Sequence, residues 1–142
     1  MSEKEMLKEW TLQDIKTRDL FFKRINSIEE NKNGFDLFIN KKTGDSYYAI
    51  IPFITSLDEI MKDIGDRQVN IIVLNTKENI DKLIKKWEEA IKHRNLCFLF
   101  VNPKINGGRK WFVYPYNHEL ILEPGTLKQS LMVLFKTVDE WK

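Results

Sequence analysis

Three strand-like runs crowd the first half of the chain, and the order in which helices and further strands follow them leaves few folds open. Leu12 to Ile25 reads as a helix, and Ile25–Ile28, Phe35–Ile39 and Tyr47–Ile54 as a strand meander. Ser56–Ile64 is a second helix and Val69–Leu74 the next strand, after which a long amphipathic helix leads to the strand Leu96–Val101. In the long helix Ile80, Leu83, Ile84, Trp87 and Ile91 recur with a period near 3.6, behind Thr76 as its cap. A strand, a helix of about five turns and a second strand make a βαβ unit, which calls for a parallel pair and a right-handed crossover. RKWFVYPY then reads as an antiparallel partner for Leu96–Val101, joined through the turn at Asn106-Gly107-Gly108, and a terminal helix begins near Thr126. The expected fold is α/β (α+β), a mixed five- or six-stranded sheet flanked by helices. Its order is helix, three strands, helix, strand, helix, two strands, helix.

Local signals refine this reading. Ser2 with Glu5 is a capping box for a short first turn of helix, and Thr11 is a second cap, with Trp10 and Ile15 at staple spacing. Asn33-Gly34 supplies the positive φ of a tight hairpin turn. Ser56 with Glu59 is another capping box, and Gly65 stops the helix that follows. Pro52 and Pro115, lacking an N–H, mark strand ends or sheet edges. Leu127, Leu131, Leu134, Val138 and Trp141 form an apolar stripe on the terminal helix.

With 142 residues, 42% of them hydrophobic, the chain suits a single domain over residues 1–142 with one core. The net charge of +2 provides no overall field toward nucleic acid or an anionic membrane. No apolar run approaches the length of a membrane span, and the charged start, MSEKEMLKEW, is unlike a signal peptide, so a cytoplasmic protein is expected. The single Cys97, within LCFLFV, reads as a small buried apolar residue.

The order helix, three strands, helix, strand, over roughly residues 11–101, resembles the core of the restriction-endonuclease-like superfamily, whose nucleases carry a PD-(D/E)XK signature. The resemblance implies a metal-binding Asp near the start of the second strand, where Asp36 stands in NGFDLFI, and a (D/E)-X-K group on the third. The third strand, SYYAIIPFI, contains neither an acidic residue nor a lysine. A Mg²⁺ site needs a second carboxylate there and the lysine to steady the attacking water or the phosphate. Asp45, Glu9 and Asp14 are the carboxylates that could stand in from elsewhere.

Other residue groups carry their own expectations. His118, crowded by Tyr114, Tyr116, Asn117 and Glu119, could act as general acid or base with Tyr116 orienting a substrate; a hydrogen-bonding role at a strand end is the alternative. His93, at the end of the long helix, reads as a partner for the helix dipole. Lys104, Arg109 and Lys110 with Trp111 and Tyr114 form a candidate surface for single-stranded nucleic acid or a protein partner, against the alternative that the aromatics pack on the core. No phosphate loop, CxxC pair, nucleophile elbow or metal-ligand spacing is present, so no cofactor and no metal is expected.

The function that fits is a non-catalytic interaction or accessory domain on a nuclease-like scaffold. The alternatives are a metal-dependent nuclease with a degenerate or rearranged site around Asp36, and a small-molecule enzyme using His118 and Tyr116. Self-association through the terminal helix or the edge strand is a further expectation, and no membrane partner is expected.

Overall fold

A computed structural model of the chain describes residues 1–105 and 109–142. Helix α1 (Glu3–Phe22) starts at Ser2, whose hydroxyl accepts from the Glu5 amide at 3.1 Å. It runs unbroken past Thr11, because residues 3–22 contain neither Gly nor Pro to stop it. The second cap expected at Thr11 is therefore absent, and its buried hydroxyl instead donates to the Leu7 carbonyl at 2.8 Å. Lys23 takes the left-handed conformation, and the Asp19 carboxylate accepts the amides of Arg24 and Ile25, which turns the chain into the sheet.

β1 (Ile25–Lys32) and β2 (Phe35–Lys41) form a hairpin closed by Asn33 and Gly34, with φ of 54° and 82°. β1 is four residues longer than the apolar signal, since the hairpin ladder carries polar residues up to the turn. β3 (Ser46–Ile50) is shorter than the apolar run: past it the Ile51 amide still donates to Ile72 of β4 (Gln68–Leu74) and the Pro52 carbonyl accepts from Leu74, but Pro52 has no N–H to carry the ladder further. Helix α2 (Asp58–Asp63) begins two residues after Ser56, so the Ser56–Glu59 capping box does not form. The long helix divides at Lys86 into α3 (Lys77–Lys85), capped by Thr76, and α4 (Trp87–Ala90).

β5 (Leu96–Val101) and β6 (Lys110–Val113) are antiparallel, and the turn expected at Asn106-Gly107-Gly108 lies outside the described residues. Pro115 opens helix α5 (Pro115–Ile121) at its first position, where its missing N–H costs nothing. His118 thus lies on a helix, not at a strand end. Helix α6 (Leu127–Phe135) is shorter than the apolar stripe. It buries Leu131 and Phe135, while Val138 and Trp141 belong to the segment after it.

The six strands lie side by side in chain order, with β3, β4 and β5 parallel and the other neighbours antiparallel. Successive parallel crossovers stepping in one direction with one hand place their helices on one face. Leu57, Met61, Ile80, Leu83, Trp87, Leu131 and Phe135 accordingly pack on Val69, Ile71, Phe98 and Phe100. The opposite face carries Leu37, Ile39, Ile50, Ile72, Leu74 and Leu99, and the helix residues in its core, Leu7 and Ile15, both come from α1. Among the described residues no helix is long and apolar enough to cross a membrane.

Candidate functional site

A single helix is narrower than a six-stranded sheet, so part of the α1 face stays open. Strand alternation and register decide what is exposed there. Tyr48 of β3 is opposite Asn70 of β4, and Asn70 is opposite Cys97 of β5, which makes one cross-strand row on the α1 face. Tyr114, just after β6, continues the row beside Cys97. Arg18 reaches over it from α1, and Lys41 and Thr43 close one side from the end of β2 and the turn beyond. The result is a run of adjoining hollows sharing Arg18 and Tyr48, the larger two about 460 and 340 Å³. The larger has an apolar wall of Ile15, Phe22, Ile25 and Ile39.

The polar groups of this cleft have uneven partners. Arg18 Nε is 3.1 Å from Asp14 Oδ2, and Lys110 Nζ is 2.8 Å from the same oxygen. Partial burial opposes the Arg18 charge, yet the Tyr48 hydroxyl and the Asp14 carboxylate outweigh it and raise the guanidinium pKa. Burial raises the Tyr48 pKa despite Arg18, so the phenol stays protonated. Lys41 is different. Burial lowers its pKa first, the Arg18 and Arg24 charges lower it further, and Asp19 and Asp45 only partly offset them. Asn70, at 8% exposure, lines two of the hollows with an amide that makes no hydrogen bond to another described residue. Chemically the cleft offers a guanidinium, an ammonium, phenols and an amide beside an apolar wall. Its thiol is no nucleophile, because burial pushes Cys97 up to about 12.

The cleft lies at the N-terminal ends of the parallel strands. Ligands of open α/β sheets usually enter at the C-terminal ends. Here that end is filled: Asn75, just past β4, donates its side-chain amide to the carbonyls of Phe135 and Val138, and Asn102, past β5, donates to those of Asp139 and Glu140.

The residues singled out in the sequence do not assemble into the sites expected of them, although Asp14, Asp45, Lys110 and Tyr114 border the cleft. Asp36 accepts from the Ile50 amide at 2.6 Å and pairs with Lys4 at 3.0 Å. Asp45 accepts from Asn40 at 2.8 Å, Asp14 is taken by Arg18 and Lys110, and Glu9 is exposed. Among the described residues no three His, Cys, Asp or Glu side chains are placed to hold a metal ion. His118 Nε2 is 2.8 Å from Ser130 Oγ, which ties α5 to α6, and its ring packs edge-on to Trp87. Burial lowers its pKa. Tyr116, two residues away and so on a different side of the helix, receives a hydrogen bond from Arg94 at 3.1 Å.

The nucleic-acid surface expected from Lys104, Arg109, Lys110, Trp111 and Tyr114 is divided by strand alternation. Trp111 faces the core, stacked on Phe100 with ring centroids 4.0 Å apart, and its indole N–H donates to Asn75 Oδ1 at 2.7 Å. Lys110 and Tyr114 face α1, Lys104 lies over the Trp141 ring, and Arg109 is exposed. Compared with protein-family models, curated proteins and solved structures, the chain matches none.

Arg18, Lys41, Tyr48 and Asn70 carry the cleft and were not singled out in the sequence. Signals in the sequence point to two of them, Asn70 and Arg18. Asn70 is the one polar residue within VNIIVL, and the sheet-facing stripe of α1 changes from Leu7 and Ile15 to Asp14 and Arg18.

Proposed function

We propose that the protein is a non-catalytic binding domain, and that its recognition site is the cleft between α1 and the N-terminal ends of β3, β4 and β5. One observation carries this reading: among the described residues the candidate catalytic groups Asp36, His118 and Cys97 are tied to structural partners or held protonated, while Arg18, Lys41, Tyr48 and Asn70 line one open cleft. Asp36 is spent on a backbone amide and Lys4, His118 on Ser130, and the Cys97 thiol is held protonated. The order helix, three strands, helix, strand supports placing the domain on a nuclease-like scaffold, and a scaffold by itself warrants no activity. A cleft of a few hundred Å³ with an apolar wall and a few polar groups suits a ligand or a protruding side chain of a partner.

The test is a fragment screen against the ¹⁵N-labelled full chain, with recovered fragments checked for chemical change. The expected result is hits that move the amides of Arg18, Tyr48, Asn70 and Tyr114 and return unaltered. Hits confined to other surfaces, conversion of a fragment, or Mg²⁺ or Mn²⁺ binding that Asp36→Asn abolishes would overturn the proposal.

A further inference from the structure

We infer that the cleft takes a small organic anion, with its carboxylate or phosphate head between Lys41, Arg18 and Tyr48 and its apolar body against Ile15, Phe22 and Ile39. The inference rests on the cleft being the binding site, and adds the class of ligand. Charge is the first ground. The larger hollow is lined by three cations, Arg18, Arg24 and Lys41, against one carboxylate, Asp19. Both Asp19 oxygens already accept backbone amides: Oδ1 takes Arg24 at 2.7 Å and Ile25 at 3.3 Å, and Oδ2 takes Ile25 at 3.3 Å. Arg18 has Asp14, and Arg24 lies over the Phe22 ring at 4.7 Å. Lys41 forms no ion pair among the described residues. A half-buried ammonium beside Arg18 and Arg24, with Asp19 and with Asp45 of the adjoining hollow only partly offsetting them, is unfavourable by itself, and an anion between it and Arg18 removes the repulsion.

Donors are the second ground. An oxyanion needs several hydrogen-bond donors converging from different elements. Arg18 arrives from α1, Lys41 from the end of β2 and Tyr48 from β3, with the Asn70 amide one strand away. The apolar wall is the third, because a bare inorganic ion leaves the exposed Phe22 ring and the half-buried Ile25 facing water, whereas an organic body covers them.

The experiment titrates the ¹⁵N-labelled full chain with four probes: phenyl phosphate, phenylacetate, inorganic phosphate and neutral phenethyl alcohol. Wild type is compared with Lys41→Met, which keeps the stem and removes the charge, and with Lys41→Gln as a second variant should the first lose the wild-type spectrum. Binding by phenyl phosphate or phenylacetate in the millimolar range or tighter is expected, shifting the amides of Arg18, Lys41, Tyr48 and Asn70. The Lys41 variant should bind at least about tenfold more weakly. The stronger of the two probes separates a phosphate source from a carboxylate source, and inorganic phosphate alone should bind more weakly than either. Equal affinity for wild type and variant overturns the inference. So does binding by phenethyl alcohol without either organic anion, which leaves the cleft as a binding site of a different class. Silence of the cleft to all four probes overturns the anion and counts against the cleft as well.

Discussion

Asn75 shows how much one buried amide can organise. It is fully buried past the end of β4, its nitrogen donates to the carbonyls of Phe135 and Val138 at 3.2 and 2.9 Å, and its oxygen accepts from the Trp111 indole. Asn75→Asp turns that donor into an acceptor facing carbonyl oxygens, and should cost about 3 kcal/mol or more in urea unfolding, read as a lower midpoint at unchanged slope. Cys97 gives a second prediction at this scale. Its thiol ionises near 9.0 when unfolded and near 12 when folded, so the unfolded state sheds its proton first and stability falls as pH climbs between those values. The buried Tyr48 phenol acts in the same sense above its usual 10.0, while Lys41, with a lowered pKa, acts in the opposite sense below 10.5. Thermal unfolding between pH 9 and 11 should therefore fall less steeply in Cys97→Ala than in wild type. At pH 8 the wild-type thiol should resist iodoacetamide until urea unfolds the chain.

At the scale of elements, two threonines that look alike in sequence do different work. Thr76 caps α3, accepting from the Asn79 amide at 3.1 Å, whereas Thr11 lies inside α1 and donates to a carbonyl that keeps its helical partner. Thr76→Ala should cost about 1 kcal/mol. Thr11→Val should change stability by less than about 0.5 kcal/mol, because it leaves no orphaned group, and the two variants are compared by thermal unfolding. Both residues carry the same local signal, and only the absence of a breaker before Thr11 distinguishes them. The strands, the two hairpins and the parallel pair β4–β5 were legible because apolar runs, turn residues such as Asn33-Gly34 and the βαβ spacing act over short distances, whereas the parallel pairing of β3 with β4, and with it the strand order, was not. The division of the long helix at Lys86 and the helix at Pro115 were not: Ile91 continues the helical period, and Trp111–Tyr116 reads equally as a strand. The cleft was less legible still. Tyr48, Asn70 and Cys97 are neighbours only through the register of three strands, and no local pattern in the chain carries that register.

At the scale of the whole molecule, the one-directional sheet order explains why the two faces differ. Crossover helices and α6 cover one face, α1 covers part of the other, and the open remainder is the cleft. The two faces are linked at the sheet's other end. Val138 belongs to the core under α3 and α6, whereas Trp141 packs on the α1 face, so residues 138–141 pass over the ends of β4 and β5. Asn75 and Asn102 hold that passage through backbone carbonyls, and the Trp141 amide returns a hydrogen bond to the Asn75 carbonyl at 3.0 Å. Because both ends of this short strap are anchored in different cores, loosening one should be felt in the other. Trp141→Ala removes the anchor on the α1 face and should cost about 1–3 kcal/mol for the apolar surface it exposes. Leu7→Ala, on the same face but away from the strap, should cost about 2–5 kcal/mol. Hydrogen exchange separates the two. Trp141→Ala should speed exchange selectively at Val138 and the last turn of α6, on the opposite face, whereas Leu7→Ala should leave those amides as protected, relative to global stability, as in wild type. Equal protection of the α6 end in the two variants would show that the strap does not couple the faces.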